Sequence, residues 1–206
     1  MSGWEIASLT ELESLPGPET LRWTPVRKHL GITAFGINAY TAAEAGQDVV
    51  EEHTEEQLGH EEVYVVVAGR ATFVIDGEER EVPAGSLVYL RDPKVQRYAR
   101  AEEPGTTVLA VGGKPGAHEI SAWESYFAAH AVEADDPERA LAEIDAGLEA
   151  SPDHPALHYH RARLLAKRGR ADEARPHLER AIAGGERFVG YAREDDDLRP
   201  LLPGEA

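Results

Sequence analysis

Residues 34 positions apart match in chemical character through the second half of the chain. Ala140 pairs with Ala174, Ile144 with Leu178 and Gly147 with Ala181; upstream, Ala128 pairs with Ala162, Ala131 with Leu165 and Asp135 with Gly169. A fixed period of this length constrains the fold more than composition does. Each period is one helix–turn–helix unit that cannot bury its apolar stripe alone and must stack on the next. Small residues at matched positions let two antiparallel helices approach closely. The units are predicted over 121–154 and 155–188. Pro152 ends the first, and Pro155 opens a helix that leaves His154 outside it. Pro176, early in a helix, predicts tilted or frayed first turns. Glu186 replaces the proline expected after the second unit. The stretch YAREDDDLRPLL then predicts a short capping helix, with Glu194 to Asp197 as a solvated helix start where acids complement the dipole.

The first half has a different grammar. A short helix is predicted near Ser8, which with Glu11 has capping-box spacing. Strand candidates follow at Ile32–Tyr40, Val49–His53 and Val63–Gly69, then a hairpin over Ala71–Val82 turning at Asp76-Gly77, then SLVYL and TTVLAVG. The run VYVVVAG is nearly all apolar and predicts a strand buried on both faces. Short strands with tight turns argue for an antiparallel barrel or jelly roll. The fold class is therefore a β + α two-part chain: an antiparallel barrel over 1–118, then a helical repeat segment over 119–206. GGKPGAH, Gly112 to His118, is the linker.

Charge narrows the function. The 206 residues carry 21 basic and 38 acidic side chains, a net charge of −17. Residues 1–118 hold 10 basic and 19 acidic groups, and 119–206 hold 11 and 19. Neither half has the cationic surface that a nucleic acid or an anionic membrane requires. There is no cysteine, so disulfide and thiolate chemistry are excluded. No signal-like h-region or long apolar run is present, and a cytoplasmic location is expected.

The 34-residue period and the position of Pro152 resemble the tetratricopeptide repeat. In the first half, HTEEQLGHEEVYVVVAG followed by PAGSLVYL resembles the cupin superfamily, whose motifs run G-x5-H-x-H-x3–4-E-x6-G and G-x5-P-x-G-x2-H-x3-N. Glu62, with six residues between it and Gly69, matches the family glutamate. The paired histidines are out of register: those positions fall on Glu55 and Gln57 or on Glu56 and Leu58, and His53 needs a longer loop. With Gly85 aligned, the closing histidine falls on Gln96. The resemblance implies a barrel-mouth site with His53, His60 and Glu62 as metal ligands and with Tyr64, Gln96 and Glu55 as ligand-binding neighbours. The ion would be a divalent Fe, Mn, Ni or Zn. Strand alternation places His60, Glu62, Tyr64 and Val66 on one face. An alternative is a relic barrel whose polar mouth is satisfied by hydrogen bonds and water. The six glutamates of EEHTEEQLGHEE also suit a solvated loop.

Three classes of function fit: a small-ligand or metal-binding module with a helical surface for a protein partner, a metal-dependent oxygenase or isomerase, and a structural barrel. The cupin resemblance also implies a homodimer. His154, His158 and His160 are read as helix polar residues rather than a metal site, and Trp123, Tyr126 and Phe127 as core or docking residues.

Overall fold

A computed structural model describes residues 5–118 and 121–202. The chain divides into two compact units on either side of residue 118. Among the described residues, no helix is long and apolar enough to cross a membrane.

The first unit is built from ten strands: β1 (Leu15–Pro16), β2 (Arg22–Thr24), β3 (Gly36–Thr41), β4 (Asp48–His53), β5 (Glu61–Ala68), β6 (Arg70–Ile75), β7 (Glu78–Pro83), β8 (Leu87–Leu90), β9 (Arg97–Ala101) and β10 (Thr107–Gly113). They form two antiparallel sheets, ordered β1-β2-β3-β10-β5-β8 and β4-β9-β6-β7. Facing side chains of the two sheets meet in one core, where Val49, Tyr64, Val66, Phe73, Ala99 and Val108 are almost wholly buried. The Asp76-Gly77 turn has positive φ at both residues, 48° and 84°, the geometry that matches the right-handed twist of a hairpin.

Three crossings between the sheets are tied together at one end of the barrel. Thr106 lies where they meet. Its hydroxyl is 2.7 Å from the Glu103 carbonyl and 3.0 Å from that of Arg70, and it accepts the Arg70 N–H at 3.3 Å. The Thr106 carbonyl accepts the Ala42 N–H at 2.9 Å. Gly69, the glycine of the Glu-x6-Gly element, packs against it with φ +68°; a Cβ there would lie 2.8 Å from the Thr106 Cα. The motif glycine is thus a requirement of the crossing.

Several local expectations change. The segment after Ser8 forms only a turn, with Glu11 and Leu12 N–H groups on the Ser8 carbonyl. A helix not foreseen, α1 (Val26–Leu30), follows β2. Strand β5 is not buried on both faces: Tyr64 and Val66 point inward while Val67 is exposed. Strand β8 ends its sheet and exposes Leu87 and Tyr89.

The second unit holds α2 (Ala122–Val132), α3 (Pro137–Ala150), α4 (Pro155–Ala166), α5 (Ala171–Gly184) and α6 (Arg187–Glu194), then a 3-10 turn at Arg199–Leu201. Asp136 caps α3 by accepting the Arg139 N–H, and Pro137 and Pro155 occupy first turns. The repeat pairs of α3 and α5 are buried alike: Ala140 with Ala174, Ile144 with Leu178, Gly147 with Ala181. A Cβ on Gly147 would meet Ser125 Cβ at 2.9 Å and Leu157 Cδ1 at 3.0 Å, which is the close approach the small residue permits. The pairs of α2 and α4 differ, since Leu165 is buried and Ala131 exposed. Helix α4 packs against α2, α3 and α5, whereas α2 is the first helix of the array. Pro176 does not break α5, which is continuous around it. Glu194 ends α6, and the Asp195 carboxylate accepts the Asp197 and Leu198 N–H groups to start the next turn. Trp123 and Phe127 are exposed, not core; the Tyr126 ring lies tilted against His160, 4.3 Å between centroids.

Candidate functional site

The barrel end opposite Thr106 carries the polar side chains. There β4 ends at His53 and β5 begins at Glu61, joined by a loop. The Glu55 N–H donates to the Pro93 carbonyl at 2.8 Å, and the Glu55 carbonyl accepts the Gly59 N–H at 2.7 Å. This closed turn aims Glu55 inward. One ligand atom each from His53, Glu55 and Glu62 lies within 4.8 Å of the others. They border a cavity of about 220 Å³ that also takes in Asn38, Tyr40 and His60.

His53 sets the electrostatics. Its Nδ1 is 2.7 Å from the Glu51 carbonyl, which can only accept, so Nδ1 carries a hydrogen. In the neutral ring Nε2 is then a bare lone pair, and it faces Glu55 Oε1 at 3.7 Å and Glu62 Oε2 at 3.8 Å. Three acceptors therefore converge. The Glu62 carboxylate beside His53 raises its pKa, more than burial and Arg97 lower it.

Glu62 is held from three sides. The Tyr64 hydroxyl donates to Oε2 at 2.6 Å, Arg97 Nη2 lies 3.5 Å from the same oxygen, and His53 faces it. Burial pushes the Glu62 carboxyl up, but these partners outweigh it and the pKa falls below the usual value. Tyr64 is buried and, beside Glu62, is strongly disfavoured from ionising.

The compact group of ligand atoms holds His53, Glu55 and Glu62. His60 does not join His53 and Glu62; its Nδ1 is 3.7 Å from the outer oxygen of Glu55. His60 nevertheless borders the same cavity as Glu55. Gln96 is also apart. It donates to Glu52 at 2.8 Å and borders a separate hollow of about 650 Å³ that gathers no comparable set of ligand atoms. The second motif fits better as Gly77-x5-Pro83-x-Gly85, which places Val88, not Gln96, at the histidine position; Val88 pairs with Tyr64 across β5 and β8. Likewise His53-x-Glu55 stands for the histidine pair, with six residues between Glu55 and Glu62.

Arg97 and Tyr40 are site neighbours that sequence reasoning missed. Among the described residues, Arg97 is the largest fully buried side chain, and its Nε and Nη2 have no hydrogen-bond partner there. The alternation Arg-Tyr-Ala-Arg-Ala between two turns was the available signal for β9.

Residues 131–185 match the tetratricopeptide repeat family. No curated protein sequence matches the chain. Among solved structures, a cupin protein from Bacteroides fragilis is 21% identical, with 59% of this chain and 92% of that one covered and a TM-score of 0.46. KdgF from Halomonas sp. is 16% identical, covering 53% and 92%, with a TM-score of 0.44. A sugar phosphate isomerase of the cupin superfamily from Silicibacter pomeroyi is 17% identical, covering 53% and 76%, with a TM-score of 0.43. The chain is an antiparallel two-sheet barrel followed by helices of which residues 131–185 match the tetratricopeptide repeat family.

Proposed function

We propose that the barrel is a divalent-metal site for a small ligand and that the helical unit serves a protein partner. The observation that carries the reading is the convergence of the His53 Nε2 lone pair with the Glu55 and Glu62 carboxylates. One imidazole and two carboxylates suit Mn, Fe or Zn better than a softer ion. A bound ion would offer its open positions to an oxygen of the ligand. The Glu51 carbonyl orients His53, as backbone acceptors commonly do for ligating histidines. Tyr64 and Arg97 hold Glu62. Val88 at the remaining motif position contributes no ligand, which favours a binding role over an enzyme.

Protein purified without an affinity tag and titrated calorimetrically with Mn²⁺ and Zn²⁺ tests this. One site per chain is expected, weakened about tenfold or more in Glu62→Gln. No stoichiometric metal and no binding heat would sink the reading. The exposed Leu87 and Tyr89 on the terminal strand β8 support a homodimer. Light scattering giving the 22.5 kDa monomer mass would contradict it.

A further inference from the structure

His158 and His177 lie in the helical unit and are far from the barrel site in sequence. His158, on α4, is 2% exposed. Its Nδ1 is 2.8 Å from Nδ1 of His177 on α5, and its Nε2 is 2.9 Å from the Pro152 carbonyl in the turn between α3 and α4. The other ring nitrogen of His177, Nε2, is 2.9 Å from Nη1 of Arg161 on α4. Arg161 in turn donates two hydrogen bonds to Asp145 on α3.

The two ends of this chain fix every proton within it. A carbonyl only accepts, so His158 Nε2 carries a hydrogen. A guanidinium only donates, so His177 Nε2 is a lone pair. In neutral rings, His158 Nδ1 is then the acceptor and His177 Nδ1 the donor, and the order runs without a break from Asp145 to Pro152. No lone pair is left over. A proton added to His158 Nδ1 would face the His177 N–H, and one added to His177 Nε2 would face the Arg161 N–H. Either places two donors against each other.

We infer that Asp145, Arg161, His177, His158 and the Pro152 carbonyl form a proton-ordered clasp joining the two repeats, and that acid releases it. The clasp ties α3, its following turn, α4 and α5 together. A single protonation therefore loosens the contact between successive repeats, not just one side chain. The charged groups facing the pair are Asp145 on α3, Asp153 in the turn, Arg161 on α4 and Arg180 on α5. Asp145 is already paired with Arg161. Burial, with Arg161 and Arg180, holds both rings neutral: His158 is lowered, and His177 is pushed down to about 4. The sign follows from linkage. The unfolded chain binds these protons near the ordinary value of 6.5 and the folded chain does not. The clasp's contribution is complete above that value and is lost as pH falls towards about 4.

Two measurements on the full chain test this. The first is the tautomeric state, read from long-range ¹⁵N–¹H correlations at pH 7.5. Hydrogen on His158 Nε2 and His177 Nδ1 is expected; the opposite assignment on either ring overturns the clasp. The second uses His158→Gln with His177→Gln, whose amides preserve the donor and acceptor order without titrating. Urea unfolding of the helical unit is compared at pH 7.5 and 5.5. His177, charged at pH 5.5 only when unfolded, should raise the wild-type unfolding constant about tenfold relative to the variant over that interval, and His158 adds to the effect. A difference below about threefold overturns the proposal. If the variant does not fold, the tautomers and the titration of the wild-type rings decide. Either ring titrating near 6.5 while the amide signals of Asp153 and His154 stay unmoved refutes the release.

Discussion

Replacing Tyr64 by Phe isolates one interaction at the barrel site. The ring is 1% exposed and packs 5.7 Å, centroid to centroid, from Phe73, and Phe keeps that packing. What is lost is the hydroxyl that donates to Glu62 at 2.6 Å. Hydrogen bonds to charged groups contribute about 1.5–3 kcal/mol. The Glu62 oxygen keeps Arg97 and His53 beside it, so the loss should fall inside that range and not reach the cost of an unpaired buried charge. The assay is native-state hydrogen exchange of the β5 and β10 ladder amides in full-length protein. EDTA is included so that no ion competes for Glu62. Exchange should accelerate about 10- to 150-fold at pH 7. Glu62 has a lowered pKa, so its ionised form stabilises the fold above the ordinary value of 4.5. The difference between wild type and variant should fade as pH falls through the folded value. A change below about threefold at pH 7, or one that grows on acidification, refutes the account of how Glu62 is held.

Further expectations concern stability. Gly69→Ala places a Cβ 2.8 Å from the Thr106 Cα at positive φ; a cost of about 1–3 kcal/mol in urea unfolding is expected, and a neutral result would deny that the crossing is tight. Ile144→Ala removes a fully buried side chain between repeats and should cost about 2–5 kcal/mol, read from the loss of helical circular dichroism with temperature. Glu133 is raised by burial but pulled down overall, to about 2, by Lys167 and Arg163. Glu133→Gln should cost about 1–2 kcal/mol at pH 7, and this difference should vanish as pH falls from the ordinary 4.5 towards about 2. Persistence of the full difference at pH 2 would contradict that.

The helical unit was the more legible half because its signal is redundant. Ala140, Ile144 and Gly147 repeat as Ala174, Leu178 and Ala181, and each pair is buried in the same way. Strand β9 shows the opposite case. Its inward positions are Arg97, Ala99 and Ala101, two small residues and a cation, so hydropathy could not mark the strand. Arg97 could not be foreseen as a neighbour of Glu62 without that strand's register. At the candidate site, Glu62 stands at the motif glutamate and Glu55 at one spacing of the paired position, while His53 is out of register. What meets Glu62 depends on a turn closed by backbone hydrogen bonds to Glu55, whose geometry spacing does not carry.

The fastening around Thr106 makes the barrel lopsided. The β3–β4, β5–β6 and β9–β10 crossings converge on a few shared backbone groups, so an insertion in any of them disturbs the other two. The segment between His53 and Glu61, which supplies Glu55 and His60, is tied more lightly, through the Glu55 N–H on the Pro93 carbonyl. Loops gain or lose residues most readily where few other segments depend on them. Lineages descended from a barrel of this kind can therefore rewrite the chemistry at one pole while inheriting the opposite pole almost unchanged.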